Sequence, residues 1–353
     1  MIELAEKLVQ WYQENKRDLP WRNTKNPYFI WLSEVILQQT RIKQGLPYYE
    51  KFIENYPTIQ DLANAPENDV LRLWQGLGYY SRARNMHATA KIITENHNAQ
   101  MPENYESLLK LKGIGKYTAA AIASFAFDEN VAVLDGNVYR VLARFFGIEL
   151  DITTPKAEKE FRFLVQEIIN QFAKNNTQNS VSTLNQALME FGALQCTPQS
   201  PKCIFCPLQE NCQALAKGKI QDLPVKTKKI KVKERFLNYI IFECEQKLAL
   251  KIRNEKDIWQ GLYEFYLIEK DKIFEKTEIE EYFKDLTFKI QHISQNYTHI
   301  LTHQKLYITF FHISIPNPNI EILKNYNFFD KTAIENLPKP ILIANYCKDF
   351  DSV

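Results

Sequence analysis

Cys196, Cys203, Cys206 and Cys212 fall within seventeen residues in the spacing C-x6-C-x2-C-x5-C. Thiolates are soft ligands, so four on one short segment suit either a tetrahedral zinc ion or an iron-sulfur cluster. Zinc sites more often pair two close knuckles. Here one pair is close and the outer two cysteines stand further off, which favours a 4Fe-4S cluster. A disulfide framework fits less well, because Cys244 and Cys347 are isolated and no feature marks the chain as secreted.

A second chemistry-bearing segment is Leu111-Lys-Gly-Ile-Gly-Lys-Tyr-Thr-Ala119, between helical sequence and the small-residue stretch Ala119 to Phe127. Gly113 and Gly115 allow positive φ and close backbone approach around a buried aliphatic residue. Exposed N–H groups at the following helix start, flanked by Lys112 and Lys116, suit a DNA phosphate. A plain glycine-closed turn between two helices is the simpler alternative.

These residues need a scaffold, and its pattern is helical almost throughout up to about Ala216. Leu4, Leu8, Trp11 and Tyr12 recur at i, i+4, i+7 and i+8, and similar stripes follow Leu62, Leu71 and Leu108. Beyond it, short apolar and β-branched runs at Phe236 to Phe242, Leu248 to Ile252 and Tyr307 to Ile315 predict strands with a few helices, an α+β half. Between them runs a basic stretch, Lys217, Lys219, Lys226, Lys228, Lys229, Lys231, Lys233 and Arg235, opposed by Asp222 and Glu234. Such runs are usually solvated linkers, and next to a DNA-binding domain they can also track phosphates. The expected organisation is therefore an all-helical domain at 1–216, a basic linker at 217–233 and an α+β domain at 234–353. A length of 353 residues fits two domains, and a net charge of +2 does not by itself announce a nucleic-acid partner. No apolar run approaches a membrane span and the first ten residues lack a signal-peptide plan, so a cytoplasmic protein is expected.

The hairpin, the segment Val131-Ala-Val-Leu-Asp-Gly-Asn-Val138 after it and the cysteine loop occur in an order that resembles the helix-hairpin-helix DNA glycosylase superfamily over roughly residues 1 to 217. The resemblance implies a catalytic aspartate, Asp135, and a 4Fe-4S cluster on the four cysteines. Asp135 also reads as the N-cap of a helix striped by Val138, Val141, Leu142 and Phe145. Helix-start N–H groups favour an ionised carboxylate, so a low pKa is expected.

Glu34 lies among Val35, Ile36 and Leu37 on an apolar helix, where lost solvation should raise its pKa. One protonated acid and one ionised carboxylate suit glycosidic chemistry, the first activating the leaving base and the second stabilising an oxocarbenium-like sugar. Leu32-Ser-Glu-Val-Ile-Leu-Gln-Gln-Thr40 resembles the MutY-type adenine DNA glycosylases, which remove adenine mispaired with 8-oxoguanine. The related endonuclease III enzymes lack this glutamate and carry a Schiff-base lysine in the hairpin. Tyr117 stands there in this chain, implying a monofunctional enzyme that uses water.

The same resemblance implies an adenine pocket of Arg17, Trp21, Arg22, Leu37, Tyr117 and Gln186, with Asn137 helping to hold Asp135 and the water. It implies a wedge of Gln39, Thr40, Leu77 and Tyr79 that enters the duplex at the oxidised guanine. The partner implied is double-stranded DNA with an adenine:8-oxoguanine or adenine:guanine mispair, bound by a monomer. The second half resembles a Nudix-like domain: Trp259-Gln-Gly-Leu-Tyr-Glu-Phe265 and His299-Ile-Leu-Thr-His303 match elements used to recognise 8-oxoguanine, which assigns Thr302 and His303 to the lesion. Leu301 and Thr302 replace the usual Phe and Ser. The acidic stretch Glu275 to Asp285 has no arginine, so the metal helix of a hydrolytic Nudix enzyme is missing and a recognition module is expected.

Overall fold

The computed structural model describes residues 1–175, 178–227 and 231–350. Lys228 and Lys229 of the basic run lie outside the described residues. The chain divides into two packed units, Met1–Asn64 with Asn85–Lys228, and Ala65–Arg84 with Lys229–Val353. Residues 65–84, expected within the helical domain, therefore pack with the second half of the chain instead. Sequence distance hides such a partnership, because periodicity reports only which face of an element is apolar.

In the first unit α1 (Ile2–Asn15) buries Leu4, Leu8, Trp11 and Tyr12, the stripe read from the sequence. Helix α2 (Pro27–Ile36) starts where the Asn26 side chain accepts from Tyr28 N at 2.9 Å and Pro27 presets the first turn. Every residue from Ile30 to Ile36 is buried, as expected for a helix apolar nearly all round. Helix α3 (Lys116–Phe127) follows the hairpin and buries Thr118 to Phe125. Helix α4 (Gly136–Phe146) is capped by Asp135 and closed by Gly147 at φ 68°. Helices α5 (Pro155–Asn175) and α6 (Val181–Leu194) complete the core, where Phe161, Ile168 and Phe172 pack with Leu8, Val141, Leu184 and Leu188. Leu208, Ala214 and Leu223 join this core, so the cysteine segment is anchored to it.

Among the described residues the second unit is built on an eight-stranded mixed sheet. Its strands are β1 (Lys233–Cys244), β2 (Lys247–Ile252), β3 (Tyr263–Glu264), β4 (Tyr266–Lys270), β5 (Lys289–Ile293), β6 (Tyr297–Ile300), β7 (Gln304–Ser314) and β8 (Asn327–Phe329). Central β1 runs parallel to β7, with Arg235 opposite Leu306, and antiparallel to β2 and β4. Leu237, Tyr239 and Ile241 point to one face and meet Ile334 of α8 (Lys331–Asn336) and Ile343 of α9 (Ile341–Phe350). Ile240 and Phe242 point to the other and meet Ile279 and Phe283, from α7 (Lys276–Tyr282) and the residue after it. Cover on both faces explains why β1 and β7 read as continuous apolar runs rather than alternating ones. Among the described residues no helix is long and apolar enough to cross a membrane.

Candidate active site and a cavity in the second unit

Glu34 is 7% exposed near the end of α2, and the Tyr117 hydroxyl from α3 donates to its Oε2 at 2.6 Å. Burial pushes the Glu34 carboxyl up, the tyrosine bond and the nearby Arg22 charge pull it down, and Asp135 pushes it up again. The Asp135 charge also acts on Tyr117, so the two carboxyls, one on α2 and one at the start of α4, lie close enough to influence the same tyrosine.

Asp135 caps α4 as its sequence context suggested. Its Oδ1 accepts from Asn137 N at 2.9 Å and Val138 N at 2.8 Å, and its Oδ2 accepts from the Asn137 side chain at 2.7 Å. The expected low pKa is corrected by the structure: burial pushes this carboxyl above its ordinary value, against all three bonds and the Arg140 charge. The residue keeps some surface in water while its carboxylate is enclosed, and desolvation of that group outweighs the cap.

Asn137 is itself held. Arg140 Nη2 donates to Asn137 Oδ1 at 2.8 Å and to Gly192 O at 2.6 Å, while its Nε donates to Cys196 O at 2.7 Å. One guanidinium thus connects the orienter of Asp135, helix α6 and the start of the cysteine loop. Gly192 permits this approach, because a Cβ there would lie 2.6 Å from Asn137 Cβ and 2.9 Å from Asn137 O. Gly192→Ala is accordingly expected to displace Asn137 or part α6 from α4, and to lower the melting temperature. A thermal melt checks this; an unchanged melting temperature would mean that the two helices absorb the added methyl without strain.

Around this pair, Arg17 forms a two-pronged bond to buried Glu190, at 2.6 Å to Oε1 and 2.8 Å to Oε2. Burial works to raise the Glu190 pKa, and the Arg17 bonds and charge prevail and hold it below its usual value. Tyr12 donates to Gln186 Oε1 at 2.8 Å and the Gln186 amide donates to Ser182 at 3.0 Å, which fixes the amide's direction. Trp21 is buried edge-on to Tyr49 at 5.1 Å. The Arg22 guanidinium lies over Phe125 at 5.5 Å, with a buried Nη1 that lacks an acceptor among the described residues. Leu37 closes α2 against Gly45, followed by Gln39 at φ 57° and Thr40. Glu190, Arg140 and Gly192 were not singled out in the sequence, where each reads as an ordinary helix residue, and Tyr12 was read only as part of the apolar stripe of α1.

At the hairpin, Gly113 takes φ 76°, and a Cβ there would lie 2.7 Å from Asn85 Cβ. Gly115 caps α3 and opens to free space. Lys112 is exposed, whereas Lys116 pairs with Glu158 at 2.7 Å. An exposed pair of this kind is worth little, so Lys116 can exchange its partner for a phosphate.

The four cysteine thiols are half-buried, and Cys206 feels the other three: burial first, then their charges, push it up to about 11. Arg144 laces the loop, with Nη1 3.4 Å from Cys196 Sγ and 2.7 Å from Thr197 O, Nη2 3.1 Å from Pro198 O and Nε 3.0 Å from Leu223 O. Cys196, Cys203 and Cys212 thus act on Cys206, with the Arg144 cation beside Cys196. Among the described residues no group of three or more His, Cys, Asp or Glu is arranged to hold a single metal ion.

In the second unit a cavity of about 460 Å³ is lined by Leu77, Tyr79, Asp257, Trp259 and the turn from His299 to Gln304. Tyr79, at φ 48° between Gly78 and Tyr80, donates its hydroxyl to Thr302. Its turn is braced by Trp74 Nε1 to Gly78 O at 3.0 Å and by Arg82 to Gly78 O at 3.1 Å. His303 sits beside Thr302, its carbonyl accepting from Lys233 N at 2.9 Å.

Residues 32–167 match the HhH-GPD superfamily of base excision DNA repair proteins, and residues 238–349 match a NUDIX domain. A thermostable thymine-DNA glycosylase superposes with a TM-score of 0.54 at 27% identity, over 61% of this chain and 95% of that one. Endonuclease III in a non-covalent DNA complex gives 0.51 at 23% identity, over 61% and 94%, and shares the fold. A base-excision DNA glycosylase of the helix-hairpin-helix class, extended by a Nudix-like domain, is what this fold and site define. The adenine DNA glycosylase of Buchnera aphidicola subsp. Schizaphis graminum is 34% identical over 351 residues, 95% of each chain. That of Mus musculus is 41% identical over 229 residues, 62% of this chain and 43% of its own length. The chain belongs to the adenine DNA glycosylase family, hydrolases that cut an N-glycosidic bond in DNA.

Proposed function

We propose that this glycosylase removes adenine from mispairs with 8-oxoguanine or guanine, as a monofunctional enzyme acting as a monomer on duplex DNA in the cytoplasm. The observation that carries the reading is the Tyr117 hydroxyl on Glu34, with Asp135 acting on the same pair. Glu34 protonates the departing base, at N7, and Asp135 stabilises the cationic sugar and aligns water with Asn137. The open Nη1 of Arg22 and the fixed amide of Gln186 are donors available to an extruded base. A tyrosine has no amine with which to form an imine, so no covalent sugar adduct arises at residue 117.

In the same reading, residues 1–216 carry out excision, 217–233 link, and 234–353 recognise the opposite base with Thr302 and His303. Gln39, Thr40, Leu77 and Tyr79 fill the gap left by the extruded adenine. Gly113, Gly115, Lys112 and Lys116 hold the DNA backbone. Cys196, Cys203, Cys206 and Cys212 hold a 4Fe-4S cluster, which supplies structural cross-linking and DNA positioning when bound.

Excision from an adenine:8-oxoguanine duplex, with sodium borohydride present in a second reaction, tests the chemistry. Base release without a trapped protein–DNA adduct is expected; efficient trapping would establish a lyase and remove the monofunctional reading. Thr302→Ala and His303→Ala are expected to lower the preference for 8-oxoguanine over guanine by about tenfold, as loss of a polar contact to a base does. Equal losses on both duplexes would count against these roles.

A further inference from the structure

The cavity that contains Thr302 is bounded by two loops from separate places in the sheet, the Arg253–Leu262 connection after β2 and the turn between β6 and β7. Each is closed by its own backbone: Arg253 N to Leu262 O at 2.9 Å and Gly261 N to Arg253 O at 2.8 Å in the first, Leu301 N to Gln304 O at 2.8 Å in the second. Two of its lining residues, Trp259 from the first loop and His299 from β6, bring their rings within 6.1 Å of each other. Arg235, near the start of β1 and 7% exposed, bonds to both loops.

A guanidinium has five N–H donors in a fixed plane, and here all five are used. Nη1 donates to Asp257 Oδ1 at 3.0 Å and to Gln304 Oε1 at 2.9 Å, and Nη2 donates to Asp257 Oδ2 at 2.6 Å. Nη2 also donates to Glu269 Oε2 at 2.6 Å, and Nε to Glu269 Oε1 at 2.7 Å, which fastens the group to β4. Asp257 extends the web by accepting from Arg253 Nη2 at 2.8 Å, while Arg253 Nη1 reaches Glu264 at 2.9 Å. Asp257 and Gln304 both line the cavity.

We infer that Arg235 is a positioning residue for opposite-base discrimination: by bonding Asp257 and Gln304 with one rigid group it sets the separation of the Trp259 loop from the Thr302–His303 turn. This rests on the proposed reading of that cavity as the site for the base opposite adenine. A lysine, with three donors around a point charge, cannot meet three segments in one plane. Glu269 supplies an internal control, since it binds the same guanidinium from β4 and belongs to neither loop.

The test uses full-length, cluster-loaded protein and single-turnover excision on duplexes with adenine opposite 8-oxoguanine and opposite guanine, with thermal melts alongside. Arg235→Lys is expected to narrow the ratio of the two rates by about tenfold, the scale of loosening one set of charge-assisted bonds. Glu269→Gln, which weakens a comparable ion pair, is expected to lower the melting temperature and leave the ratio within about twofold. An unchanged ratio in Arg235→Lys, or equal narrowing in Glu269→Gln, overturns the proposal. Should Arg235→Lys fail to fold, Gln304→Ala decides, because it removes one of the five bonds and must also narrow the ratio. Thr302→Ala separates the two levels. If it leaves the ratio unchanged, the reading of the cavity fails; if it narrows the ratio and neither Arg235→Lys nor Gln304→Ala does, the positioning role alone fails.

Discussion

Glu34→Gln protein is expected to bind mispaired duplex about as tightly as the unsubstituted enzyme and to release adenine at least about 10³-fold more slowly, within the range that a general acid supplies. Glutamine keeps the volume and an oxygen for the Tyr117 hydroxyl, so the change removes the transferable proton and little else. Substantial residual turnover on the adenine:8-oxoguanine duplex would refute the assignment.

The same variant reads out the cost of burying the acid. Burial raises the Glu34 pKa above its unfolded value. A raised carboxyl contributes stability that is present below the unfolded pKa and lost as pH rises through the folded one. Glutamine has no such loss, so Glu34→Gln should melt at or above the temperature of the unsubstituted protein at neutral pH, with the gap growing from acid to neutral conditions. An inactive variant that is also less stable at every pH would point to disturbed packing instead.

Asp135→Asn is the second large effect. Asparagine caps helices as well as aspartate does, so α4 should persist with at most a few tenths of a kcal/mol lost. What disappears is negative charge at the developing cation, and the rate is expected to fall about 10²–10³-fold, the scale of removing one preorganised electrostatic partner. Circular dichroism and melting temperature should change little while single-turnover excision collapses. A rate within tenfold of the original would show that the carboxylate serves as a cap and nothing more.

Both carboxyls are raised, yet their partners differ. Asp135 accepts three bonds from N–H groups and feels Arg140, all favouring its ionised form, whereas Glu34 has one donor from Tyr117 and the charge of Arg22. In the proposed mechanism the proton is assigned to Glu34, the carboxyl with fewer partners for its ionised form. Excision should fall at high pH as Glu34 ionises and at low pH as Asp135 becomes protonated, a bell whose two limbs describe the coupled pair. A flat alkaline side across the raised range would remove Glu34 as the acid.

Much of this molecule is written locally. The apolar neighbours of Glu34 foretell its burial, the aspartate before Gly136-Asn-Val foretells the cap, and the stripe of Leu4, Leu8, Trp11 and Tyr12 foretells the face that α1 buries. Each depends on a few adjacent residues, and the physics that reads them, periodicity and capping, has that same range. The direction of the Asp135 shift was not legible in this way. The sequence shows the donors that would lower it but not the protein that encloses it.

The same holds for every device that fixes the chemistry in space. Arg140 joins Asn137 to Gly192 and Cys196 across more than fifty residues, Arg17 meets Glu190 across 173, and Tyr79 meets Thr302 across 223. The residue types and the helix that carries or follows each carboxylate were legible in the sequence alone. Which way the Asp135 carboxyl shifts, which strand group residues 65–84 join and how one guanidinium spans two loops were decided by tertiary structure, because desolvation and long-range hydrogen bonds exist only once distant segments are packed together.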